Sequence, residues 1–241
     1  MLINTDMRVA IIIAGEPRFC NYVDSFINSL QGVDQADWFF YLWDETIIKS
    51  THKQITTGWN NILNREWAIN NIHDKLPNNH KIVDLQLGQQ SQVPEQLPLY
   101  KQFFSLQQAD LLRQEYEKTN SRYDLVIRAR LDLLINSPID LQSIKLQLDQ
   151  NPKLMFLPVG PRYGYGVKIN DQFAISSSGN MSIYTNLINY IKDYQNKGIA
   201  VHPETQLSHH LLHNGLELKH DINIGILNQG DPANFGRWIV S

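Results

Sequence analysis

The sequence predicts an α/β fold, an open sheet with helices against it, and three stretches carry that prediction. The chain opens as strand, loop, helix, strand, the connection that places two strands parallel. A long amphipathic stretch at Tyr100–Thr119 runs straight into a buried strand at Tyr123–Ile135. That strand carries charge on one face only. Side chains alternate along a strand, so Arg128, Arg130 and Asp132 share one side, and Leu125, Ile127, Ala129, Leu131 and Leu133 share the other.

Each element follows from its local pattern. Val9–Ile13 is an apolar run that ends in the turn-forming Gly15-Glu16-Pro17-Arg18. Asn21–Leu30 fits a helix, with Tyr22, Phe26 and Leu30 on one stripe. Asp37–Trp43 is a second buried strand, closed by Asp44-Glu45. Ile62–Leu76 is helical up to Pro77, and Lys81–Leu87 is a short strand. Gln89–Leu99 is polar, holds two prolines and reads as a loop. In Tyr100–Thr119 the inner side is Phe103, Phe104, Leu106, Leu111, Leu112 and Tyr116.

Pro138–Leu148 is a connection with helical tendency, and Leu154–Pro158 is a short strand. Gly160–Gly166 is an aromatic, glycine-rich loop. Asn170–Ser176 is a strand with Asp171 at its start. Ser182–Lys197 is a helix stopped by Gly198, and His202–His213 is another, with Pro203 in its first turn and Gly215 past its end. Leu216–Ile226 is extended, and Asn228–Arg237 is irregular. No linker divides the chain, so residues 1–241 read as one domain.

Composition bounds the function. Of the 241 residues, 42% are hydrophobic and 19% charged, which excludes a disordered chain. A net charge of −3 gives no electrostatic reason to expect nucleic acid as a partner. The single cysteine, Cys20, rules out an internal disulfide framework and suits a reducing, cytoplasmic setting. No apolar run is long enough for a transmembrane helix.

Buried charge is costly unless it is paired or binds something. Two arginines and a carboxylate on one strand suit an anionic ligand. Arginine grips phosphate with two parallel bonds, and aspartate is a hard oxygen ligand for Mg or Mn. A structural Arg–Asp pair pinning the strand is the plainer alternative. His209 and His213 share a helix face, but no third ligand stands at zinc spacing.

In their order along the chain, Val9–Arg18, Asp37–Asp44, Tyr123–Ile135, Asp171–Ser177 and Pro203–Gly215 resemble nucleotide-sugar-dependent glycosyltransferases of the GT-A fold. The closer likeness is to small bacterial and viral glycosyltransferase-like proteins with an Arg-x-Asp strand. The resemblance implies a Rossmann-like mixed sheet flanked by helices. It assigns residues 1–135 to a nucleotide-binding half and 136–241 to an acceptor and sugar half. It implies transfer of a sugar from a nucleoside-diphosphate donor to a glycan or glycoconjugate acceptor.

Carried over residue by residue, Ala14, Gly15, Glu16 and Arg18 would cradle the nucleotide, and Asp44 would accept from its ribose or base. The same Gly15–Arg18 stretch serves equally well as a plain strand-to-helix turn. The family's metal motif is Asp-x-Asp. Here the triplet is Arg130-Leu131-Asp132, with an arginine in place of the first acid. Two expectations follow. Either Asp132 binds Mn or Mg, or Arg130 itself neutralises the diphosphate, with Arg128 beside it. Many enzymes of that fold take a late histidine as a third metal ligand, for which His202 and His220 are the candidates; neither stands in a metal motif, and a surface or hydrogen-bonded role is the plainer reading. Asp171 would meet sugar hydroxyls or act as a catalytic carboxylate, and Glu204 is the second candidate for general base, although an acid in the first turn of a helix is favoured by the helix dipole whatever its function. Tyr163 and Tyr165 suit a lid that stacks on a sugar or base, and the stretch reads equally well as an ordinary surface loop. The alternative function is a non-catalytic protein of this fold that binds a nucleotide or glycan.

Overall fold

The structure is a computed structural model that describes residues 7–15, 23–33, 35–43, 70, 72–74, 76–130, 133–160, 169–222 and 224–226. Its centre is a sheet of seven strands: β1 (Val9–Gly15), β3 (Ala36–Trp43), β4 (Lys81–Gly88), β5 (Leu125–Ala129), β8 (Leu154–Pro158), β9 (Ala174–Ser176) and β10 (Glu217–Ile222). They lie in the order β10-β8-β9-β5-β1-β3-β4. All adjacent pairs are parallel except those made by β9, which runs antiparallel to both β5 and β8. Strands from before and after residue 135 therefore share one mixed sheet. Two short pairs stand apart: β2 (Leu30–Gln31) with β7 (Ile139–Asp140), and β6 (Leu133–Ile135) with β11 (Ile224–Ile226).

Helices cover both faces, which is why the central strands are apolar on both sides. In β3, Trp38, Phe40 and Leu42 enter the core shared with α1 (Val23–Ser29) and α3 (Leu141–Gln150), while Phe39, Tyr41 and Trp43 enter the opposite core. That second core is closed by α2 (Pro98–Thr119), α4 (Ser178–Thr185), α5 (Ile191–Asn196) and α6 (Pro203–His213). Val126 of β5 belongs to it, so Arg128, two residues on, faces the same helices.

Five expectations need correction. The stretch Tyr123–Ile135 is two strands, because the chain leaves the main sheet after Ala129 and Leu133–Ile135 pairs with β11 instead. Leu30 lies in β2, past the end of the first helix. Leu111 is 47% exposed, because α2 turns a polar stripe of Ser105, Asp110 and Arg113 inward instead. Asp171 sits in a turn ahead of β9, which starts at Ala174. Ser182–Lys197 is not one helix: α4 begins at Ser178, capped by the Ser177 side chain, and a 3-10 turn at Asn186–Asn189 separates it from α5.

The inward polar stripe is fully paired. The Arg113 guanidinium bonds Asp110 at 2.7 Å, Glu117 at 2.7 Å, Ser178 Oγ at 2.6 Å and Ser182 Oγ at 2.8 Å. Thr185 donates to Asp110 at 2.8 Å. This network rivets α4 to α2.

Candidate functional site at the carboxyl edge of the sheet

Parallel strands all end at one edge, and the crevice beyond it is where open α/β sheets take ligands, at the point where strand order reverses. Here that point lies between β1 and β5. From β1 the chain builds outward through β3 and β4, then returns to place β5 on the other side of β1. The register pairs Ile13 with Ala129, so Ala14 and Gly15, still paired to β3, run past the end of β5 beside Arg130. Because β9 is antiparallel and pairs Ala174 with Arg128, the turn holding Asp171 lies off the same edge.

Gly15 has φ of +97°, a conformation that side chains with a Cβ rarely adopt. A Cβ there would sit 3.6 Å from Ser105 Oγ and 3.9 Å from Trp43 Nε1, so the β1 turn rests directly on α2 and the end of β3. One turn back along α2, Gln102 donates from Nε2 to Asp171 Oδ2. The Tyr184 hydroxyl, on α4, donates to the Asp171 backbone carbonyl at 2.7 Å. Asp171 is thereby held at both its backbone and its side chain, and it is 4% exposed.

Glu204 lies in the first turn of α6. Burial, and then the negative charge of Asp171, push its carboxyl from its ordinary 4.5 up to about 7. Its Oε2 lies 2.8 Å from His202 Nδ1, at the helix N-cap. Burial raises the Tyr184 phenol strongly, so it stays a neutral donor, while the positive charge of Arg128 and the acids Asp171 and Glu204 act on it in opposite senses. Arg128, Tyr184, Asp171 and Glu204 thus form one electrostatic cluster.

Of the residues singled out from sequence, the fold gathers Ala14, Gly15, Arg128, Arg130, Asp171 and Glu204 at one edge. Glu16, Arg18, Asp44, Asp132, Tyr163 and Tyr165 lie outside the described residues. Among the described residues, no three His, Cys, Asp or Glu side chains gather as a metal set. His209 and His213 do share a face, with rings stacked 5.9 Å apart. His220 contacts the Leu157 carbonyl at 3.3 Å, as a hydrogen-bonded residue would.

Gln102, Ser105 and Tyr184 were not legible as site residues. The available signal was position: Gln102 and Ser105 fall among the buried Leu99, Phe103, Leu106 and Ala109 of α2, where an apolar residue is the rule. No helix among the described residues is long and apolar enough to cross a membrane. No protein-family model matches the chain, and no curated protein matches it in sequence.

Proposed function

We propose that the protein is a glycosyltransferase that moves a sugar from a nucleoside-diphosphate donor to a glycan or glycoconjugate acceptor. The observation that carries the reading is the carboxyl pair Asp171 and Glu204, one of them raised to about 7, at the same sheet edge as Arg128, Arg130 and the Gly15 turn. Transfer makes a bond between an acceptor hydroxyl oxygen and the sugar's anomeric carbon, and breaks that carbon's bond to the diphosphate. The acceptor loses a proton and the leaving group gains charge. A carboxylate titrating near neutrality suits the first need, because a base works best with its pKa near the working pH. Arginines suit the second.

In this reading Glu204 takes the acceptor's proton, Asp171 holds sugar hydroxyls, and Arg128 and Arg130 neutralise the diphosphate. Ala14, Gly15, Glu16, Arg18 and Asp44 hold the nucleotide. A divalent cation, Mn or Mg, would rest on Asp132. The described residues offer no donor set for it, so no step here is assigned to a metal. Arg130 in place of the first acid of the metal motif favours a second reading, a protein that binds a nucleotide or glycan without transfer.

The Asp132→Ala variant separates the first reading from its competitors. Transfer should be abolished with the melting temperature unchanged. Full activity would count against the scheme, and donor binding without transfer across a broad acceptor panel would favour the second reading.

A further inference from the structure

We propose that Trp38 and His80 form an acid-sensitive latch at the edge of the sheet: when His80 takes up a proton, Trp38 loses its acceptor and the turn that leads into β4 comes loose. Trp38 Nε1 donates to His80 Nδ1 at 3.0 Å. An indole nitrogen has a hydrogen to give and nothing to accept with. Nδ1 therefore presents its lone pair, and the neutral ring carries its proton on Nε2. An imidazolium has a hydrogen on both nitrogens, so it would set donor against donor.

Trp38 has no room to turn elsewhere. It is 0% exposed, stacked on Phe40 at 5.8 Å and set edge-on to Phe26 of α1 at 6.0 Å. An indole N–H left there without an acceptor is costly. His80 is the residue just before β4, the outermost described strand of the sheet, and its amide closes a turn onto the Pro77 carbonyl at 2.8 Å. It also lines a cavity of about 370 Å³, room enough for water to deliver the proton.

Among the described residues, the titratable groups that share this cavity are His73, ahead of the turn, and Lys81 and Asp84 on β4. Lys81 reaches across to the ring of Tyr116, 5.7 Å away. Burial holds the His80 imidazole below its ordinary 6.5. The folded ring thus binds its proton less tightly than the unfolded one. Its contribution to stability is intact above pH 6.5 and is lost as the pH falls below that value.

The experiment is a proton–nitrogen-15 NMR titration of the full chain from pH 8 to 4.5, with the five indole signals and the His80 ring assigned from wild-type spectra. At pH 8 the His80 proton should be on Nε2. As the ring charges, the Trp38 indole signal should move with the same midpoint, and its protection from exchange with water should fall by about 10-fold, roughly the worth of one buried hydrogen bond. His80→Asn offers an amide oxygen near the Nδ1 position at every pH, so its Trp38 signal should stay flat throughout. A proton on Nδ1 at pH 8 overturns the proposal. So does a ring that stays neutral down to pH 4.5, or a Trp38 signal that does not follow the titration of His80; all three are read on the wild type, whether or not the variant folds.

Discussion

Replacing Glu204 by glutamine should stabilise the protein, and only above a definite pH. Glutamine has the shape of the protonated carboxyl and never charges. In the wild type, the folded carboxyl titrates at about 7 and the free one at 4.5. The folded state holds the proton more tightly, so this group's contribution is fully present below pH 4.5 and is lost as the pH rises through 7. At about 1.4 kcal/mol for each pH unit, the ceiling is about 3.4 kcal/mol. The Glu204 side chain is still 18% exposed, and screening by water brings the expectation to roughly 1–2 kcal/mol. For a chain of this size that is about 2–8 °C in melting temperature. Thermal unfolding of both proteins at half-unit steps from pH 4.5 to 9 is the assay. The two should melt together at the acid end and separate progressively up to pH 8, with the variant higher. A constant gap at every pH, or a variant that melts lower at pH 8, would refute the argument that burial and Asp171 raise this carboxyl.

Two further perturbations test the frame around the site. Arg113→Ala leaves Asp110 and Glu117 buried without their cation, which should cost about 3–5 kcal/mol and lower the melting temperature by about 6–20 °C; a loss under 1 kcal/mol would show that the network is not what rivets α4 to α2. Gly160→Ala places a Cβ 1.7 Å from the Ile169 carbonyl oxygen, a contact that only backbone movement relieves. The amide of Asn170, bonded to the Pro158 carbonyl at 2.9 Å, should lose its protection from hydrogen exchange, and unchanged protection would contradict the close approach.

How much could be read from sequence depended on what each residue packs against. The strands β1, β3 and β8 were legible within two residues, because strands covered on both faces are continuous apolar runs bounded by turns. The same rule failed at Tyr123–Ile135. The apolar run continues across the gap between two sheets, and hydrophobicity alone does not mark where pairing partners change. Leu30 and Leu111 were misplaced for a related reason: an apolar residue at helical spacing can be taken by a neighbouring strand or displaced by a buried ion pair. The start of α4 was missed because Ser177-Ser178-Gly179 looks like loop, although Ser177 is a cap that accepts from the Asn180 amide. At the candidate site, Asp171 and Glu204 were singled out on the resemblance, Asp171 as a strand start that is a turn in the structure and Glu204 as an acid in the first turn of a helix. Gln102 and Tyr184 could not be singled out, since a polar group on a buried stripe acquires its meaning only when the partner from a distant segment is known.

The central claim is that this edge binds a nucleoside-diphosphate sugar, and the most direct measurement is a thermal-shift screen of nucleoside diphosphates and nucleotide sugars, each with and without Mn. A ligand that binds only the native state raises its melting temperature. At one hundred times its dissociation constant the gain is about 2.7 kcal/mol, or roughly 5–11 °C for a chain of this size. One base should stand out, with a shift that requires Mn if Asp132 holds a metal and that persists without it if Arg130 takes the metal's place. No shift with any nucleotide would contradict the account.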